Sequence, residues 1–292
     1  MIVTSSWLCQ QVVAQSFPPP LSNHLRLSAG LETRNEDFRW SIAGNSAGTN
    51  PNILSEIIFN PVRAVGFGLD ASYDVGRRFR LDLEYSQLYT YSGSATDFDY
   101  EGDNRTLPSV ELYLNSNKGK MRNSSARFLY RLTPGESFVV QAGLGYSAAK
   151  ELFYLLNEND PELQTTYLAK WNGPAIALHA NWISPWRFQL GAAADYHLFQ
   201  YQAEANWNTI ENFQHPVSFL QTAGGTGWNY QANAGYRFNR HLETRINWKY
   251  SNWQTRKGID RLFLTNGDKP ETQMNGAFKK ASGWSLSATY HF

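Results

Sequence analysis

The sequence predicts an all-β protein: a closed antiparallel transmembrane β-barrel of about ten strands, with short periplasmic turns and long extracellular loops. Three observations predict it. Apolar and polar residues alternate with a period of two in stretch after stretch, the signature of strands with one apolar face. Of the 292 residues, 15% are aromatic and only 17% charged, against about 25% charged in an ordinary soluble domain. The last alternating stretch ends on an aromatic residue, Phe292.

Taken in order, the chain opens on a moderately apolar stretch, Met1 to Ala14, in which Val12-Val13-Ala14 resembles a small-residue cleavage site. Residues 1–16 are therefore expected to be a residual export signal, and residues 17–292 a single barrel domain. Pro18-Pro19-Pro20 supplies a stiff lead-in. Leu25, Leu27, Ala29 and Leu31 then alternate with Arg26, Ser28, Gly30 and Glu32. The same pattern runs through Phe79–Tyr85, Phe138–Tyr146, Phe188–Tyr196, Trp228–Phe238 and Leu242–Tyr250. It closes with Trp284, Leu286, Ala288, Tyr290 and Phe292 against Ser285, Ser287, Thr289 and His291.

The polar faces carry both signs of charge, with Arg80, Asp82, Glu84, Glu243 and Arg245 as examples. In lipid such a face must point into a closed lumen, where opposite charges pair and water enters. Closure is required because an open sheet would leave backbone groups unsatisfied in hydrocarbon. The expected partner of the apolar face is outer-membrane lipid, and Tyr and Trp at strand ends suit the headgroup level. Short connections are expected near 75–77, 133–135, 184–185 and 239–240. Long ones are expected near 35–51, 93–118, 157–167, 209–226 and 265–277. A lectin-like sandwich or a lipocalin-type barrel is the soluble alternative.

The totals exclude several classes. No apolar run of about 18 residues exists, so the chain is not a helical membrane protein. A net charge of +1 lacks the basic surplus that nucleic acid demands. Cys9 is the single cysteine, so no internal disulfide forms. No phosphate loop, metal-ligand spacing or nucleophile elbow is present, and no cofactor is called for.

Several local pieces carry a more specific likeness. Tyr91-Ser92-Gly93-Ser94 runs into Asp97-Phe98-Asp99-Tyr100. Pro174, Ile176 and Leu178, then Arg187-Phe188-Gln189-Leu190-Gly191, Asn233-Ala234-Gly235-Tyr236 and the final Ala288-Thr289-Tyr290-His291-Phe292 follow. In this order they resemble the omptin group of outer-membrane proteases, over most of the chain after residue 24 and chiefly as topology. Omptins are endopeptidases that cleave near basic residues. They hold water between an Asp pair on one rim and an Asp-x-His pair on the facing rim, the His being general base. The resemblance places Asp97 and Asp99 as the first pair and His215 as the base. The position two before His215 is Phe213, where the family has Asp, and Glu211 is the nearest carboxylate left to orient the imidazole. Glu36 and Asp37, in the expected first loop, sit near where the family places an acid that receives a basic substrate side chain.

Each of these residues also has a plainer reading. Asp-x-Asp in a polar loop is ordinarily a solvated turn, and a His before Pro an ordinary loop residue. Two functions therefore stay open: a surface endopeptidase acting on peptides with basic residues, or a non-catalytic barrel serving as adhesin, structural protein or narrow pore. A lipid-modifying enzyme would need a nucleophile on the lipid-facing wall, and His179 and His197 offer no such context. The expected chain is a monomer in the bacterial outer membrane, possible partners being lipopolysaccharide and a peptide at the extracellular rim.

Overall fold

The computed structural model describes residues 25–133, 135 and 137–292. The expected export signal, Cys9 and the proline run lie outside them, as does Pro134 of the second short turn.

Twelve strand segments form one sheet: β1 (Leu25–Ile42), β2 (Ser55–Val75), β3 (Phe79–Gly102), β4 (Thr106–Asn115), β5 (Gly119–Arg131), β6 (Phe138–Asn157), β7 (Asp160–Ile183), β8 (Phe188–Asn206), β9 (Phe219–Arg237), β10 (Leu242–Thr255), β11 (Gly258–Leu262) and β12 (Glu271–His291). β1 pairs with β12 from Arg26↔His291 up to Ile42↔Met274, so the sheet closes on itself. The segments fill ten positions around the wall, because two positions are broken strands. β4 and β5 both pair with β3, at its upper and lower ends. β10 and β11 both pair with β9 and with β12. The ten-strand barrel expected from the sequence is the one found.

The waist is apolar outside, with Leu31 71%, Leu144 69%, Ile176 63% and Leu286 59% exposed. The lumen behind it is ionised. Arg26 pairs with Asp74 at 2.8 Å, Arg127 with Asp195 at 2.7 Å and Glu84 at 3.1 Å, Lys249 with Glu32 at 2.8 Å, and Arg245 with Glu243 at 2.6 Å. Arg80, Asp82, Glu84, Glu243 and Arg245 thus all face inward, as the alternation requires. No water surrounds the waist, so charge stays inside.

Above the waist the apolar residues change sides while the strands run on. On β1, Leu27 and Leu31 point out but Phe38 and Trp40 point in and are buried; on β8, Leu190 and Leu198 point out but Phe199 and Tyr201 point in. Phe59, Phe153, Tyr167, Trp171, Phe219 and Trp253 join them in one aromatic core that fills the upper barrel. Phe59 stacks on Phe153 at 4.6 Å between ring centroids, and Phe199 meets Trp253 at 4.5 Å. Water now bathes the outer surface, so the hydrophobic effect reverses the sense of burial.

This reversal corrects the loops. β1 continues to Ile42, leaving only 43–54 as its connection, so Glu36 and Asp37 lie on a strand. The segment 93–118 is mostly a β3–β4 hairpin, and Asp97 and Asp99 are strand residues too. Residues 157–167 are not a long loop, because Glu158 and Asn159 alone join β6 to β7. The β8–β9 and final connections shrink to 207–218 and 263–270. Three of the four short turns fall where expected, and the fourth, between β5 and β6, includes residues outside those described.

Candidate functional site

The bulges between β2 and β3 at Phe59/Val62 and Arg63/Ala64 reset the register before the upper part of β3. Asp97 then sits opposite buried Ile57 and Asp99 opposite Ser55. Both carboxylates point into the barrel mouth, above the lipid-facing run that ends with exposed Tyr89 and Tyr91. Asp97 is 8% exposed. Burial pushes its carboxyl up to about 7, with the neighbouring Asp99 carboxylate adding to the rise. Burial also raises Asp99, and a hydrogen bond with Ser55 holds that rise back.

His215 lies in the β8–β9 loop, exposed, as does Glu211. The Nδ1 of His215 is 2.7 Å from Oδ1 of Asn206, at the end of β8. Phe213, two residues before it, is held by a β-bridge to Leu264. Among the described residues no hydrogen bond or ion pair joins His215 to Glu211, Asp97 or Asp99. The structure thus brings Asp97 and Asp99 together and leaves the His without a carboxylate partner.

Glu36 and Asp37 do not act together. Asp37 faces outward and is exposed, whereas Glu36 faces inward and is 1% exposed. Glu36 belongs to a buried ion cluster. Arg34 reaches it at 3.5 Å and Glu151 at 3.6 Å, and Lys279 lies 3.7 Å from Glu36 and in direct contact with Glu151. This cluster forms the floor of the aromatic core. His179 and His197 also face the lumen: Nε2 of His179 is 3.5 Å from Asp195, and His197 contacts Asn229 at 3.0 Å. Neither reaches lipid.

Other mouth residues carry polarity that no motif announces. Glu56 accepts hydrogen bonds from Arg105 at 2.7 and 2.9 Å and from Tyr100 at 3.0 Å, tying the hairpin tip to β2. Asp260 on β11 is aligned with Gln221 on one side and Thr272 on the other, and burial pushes its carboxyl up to about 6. Tyr167 bonds Gln221 at 2.6 Å and Tyr201 at 2.5 Å. Only the register assembles this group from five strands. Its sequence signal is the change of apolar side along each strand.

A family model described as Protochlamydia outer membrane protein, Pom, matches residues 27–292. The chain belongs to the Pom family. Among curated proteins none matches this Pom-family chain significantly. Its fold resembles that of the outer membrane protease OmpT from Escherichia coli, with a TM-score of 0.68, 13% identity, and coverage of 94% of this chain and 98% of that one. At that identity the likeness establishes the barrel fold and bears out the omptin-like architecture. The Pseudomonas aeruginosa outer membrane protein OprG also matches, with a TM-score of 0.40, 11% identity, and coverage of 93% and 96%. The Pom-family barrel is a protein of the bacterial outer membrane.

Proposed function

We propose that this Pom-family protein is a non-catalytic, closed surface barrel that works through its extracellular rim, taking up basic polypeptide segments there. The observation that carries this reading is the His215–Asn206 contact of 2.7 Å. An amide oxygen orients the ring but carries no charge, so it stabilises an imidazolium less than a carboxylate does and leaves His215 a weaker general base than the Asp-paired ring of the omptin pattern. The rim is nonetheless acidic, with Asp97, Asp99, Glu101 and Asp103 on one hairpin, and such a mouth draws basic chains. A lumen closed from above supports the same view. The aromatic core crosses the upper barrel, and beneath it ion pairs surround a cavity of about 100 Å³, so binding takes place at the top.

The second reading is an omptin-like endopeptidase in which Asp97 and Asp99 hold the water and His215 takes its proton, oriented by Glu211. What favours it is the position of the Asp97 carboxyl near 7, where proton exchange is available at neutral pH. Glu36 has no part in substrate capture on either reading, since its carboxylate is engaged below the core.

A fluorogenic peptide with paired basic residues, added to the protein in lipid vesicles, distinguishes the two. Binding without cleavage is expected. Cleavage that disappears in both Asp97→Ala and His215→Ala would replace the first reading with the second.

A further inference from the structure

The upper wall has a gap in its pairing. β4 pairs with β3 from Ser94↔Asn115 to Gly102↔Thr106, but its other edge meets β6 at one position only, Asn115↔Leu156. Above that point β6 turns back at Glu158 and Asn159 into β7. The β3–β4 hairpin therefore rises past its neighbour, and among the described residues no strand pairs with the edge of β4 from Thr106 to Leu114.

The register identifies which backbone groups are left over. The Ser116 amide donates to the Gly93 carbonyl. Continuing that ladder, Leu114, Leu112 and Val110 bond to Ala95, Asp97 and Asp99. In an antiparallel pair alternate residues turn their N–H and C=O away. Asn115 does so toward β6, consistent with its pairing to Leu156. Glu111 and Tyr113 come next, and their N–H and C=O face the gap. Tyr113 is 74% exposed on the outer face, while Val110 and Leu112 face the mouth beside Asp99 and Asp97.

We infer that the free edge of β4 takes up an extended, basic polypeptide segment as an added strand. Main-chain hydrogen bonds give such an addition its affinity, and side chains on alternate positions its selectivity. An unpaired edge is a template for this unless it is blocked. Pro108 blocks only the hairpin tip. Charge chooses the occupant. β4 carries Glu111 and no basic residue, and the turn at the foot of the gap, residues 157–162, carries Glu158, Asp160 and Glu162 and no basic residue. A second copy of this chain would bring the same acids into the gap and be repelled. A basic strand would have its outward side chains beside Glu111 and its inward ones facing the mouth, toward Asp97 and Asp99.

The inference rests on the rim being a binding surface for basic segments, and the test separates the two ideas. A labelled ten-residue peptide alternating Val or Thr with Arg or Lys is titrated against the protein in nanodiscs. A second peptide of the same sequence is N-methylated on alternate residues, which keeps its charge and removes the donors of one edge. Methylating either alternate set leaves one peptide edge intact, so both sets are made. One set is expected to bind at least tenfold more weakly than the parent and the other to match it. Glu111→Pro removes an edge donor and is expected to weaken binding at least tenfold more than Glu111→Gln, with heat-modifiable mobility confirming a folded barrel. Equal binding of the parent and both methylated peptides overturns the added strand while leaving rim capture by charge intact. No binding of the parent peptide overturns both. A dimer that Glu111→Pro dissolves would assign the edge to self-pairing and overturn the proposal.

Discussion

Lys279 Nζ lies 3.8 Å above the centroid of the Trp253 ring, with its other side against Glu151 and Glu36. One ammonium thus joins the two halves of the interior, the aromatic core above and the ionised lumen below. Its side chain is fully buried, as are both carboxylates.

Lys279→Met is expected to destabilise the barrel by about 3–5 kcal/mol, because it leaves two buried carboxylates to Arg34 alone. Urea unfolding in lipid vesicles measures this. A loss below about 1 kcal/mol would mean that the cluster is hydrated or rearranges.

The mouth carboxylates give a pH dependence. The folded Asp97 carboxyl lies near 7, above its ordinary 3.8, so the folded state holds a proton that the unfolded chain releases. Stability attached to this group is present below about pH 4 and lost as the pH rises toward 7. Asp97→Asn is expected to flatten that slope and to stabilise the protein at pH 8 by a few kcal/mol. Unfolding midpoints at pH 5 and pH 8 decide it: an unchanged slope would mean that Asp97 is solvated.

Lipid contact is tested by Leu144→Arg. The side chain is 69% exposed, so in a water-bathed protein the change would cost almost nothing. On a lipid-facing wall it is expected to cost about 2–4 kcal/mol. Folding into vesicles with and without the substitution reads the difference.

The aromatic core across the upper barrel predicts no steady current in a planar bilayer. Open channels belong to barrels of larger strand number. Trp171→Ala, which removes a fully buried ring packed 4.5 Å from Tyr201 and 5.6 Å from Trp253, is expected to cost about 3–5 kcal/mol and to leave the bilayer silent. Large stable steps in the unaltered protein would refute a closed interior.

Much of the fold was legible in the sequence because lipid imposes a strict rule. At the waist outward positions are predominantly apolar, so Leu27, Leu144, Ile176 and Leu286 announce themselves by alternation. The strand ends were not legible. Phe38, Phe153 and Tyr201 obey the opposite rule, and a reading that expects apolar residues outside stops where the rule changes. For that reason the alternation points to a loop at Glu36, where β1 in fact continues. Asp97 and Asp99 lie two residues apart on one strand, so their closeness is legible in the sequence. The Lys279–Glu151 contact and the Gln221–Asp260–Thr272 row join distant segments, and only register supplies them. His215 is correctly placed in its loop, and its pairing with Asn206 has no signature, because it depends on how residues 207–218 fold back on β8.

The side-switch along the strands bears on how the molecule behaves outside a membrane. A detergent collar need replace only the hydrocarbon around the waist. The aromatic packing higher up is shielded from water by the protein's own wall and owes nothing to amphiphile. Rim geometry, including the unpaired border of β4, should therefore survive extraction into micelles, and affinities measured there should carry over to the cell surface.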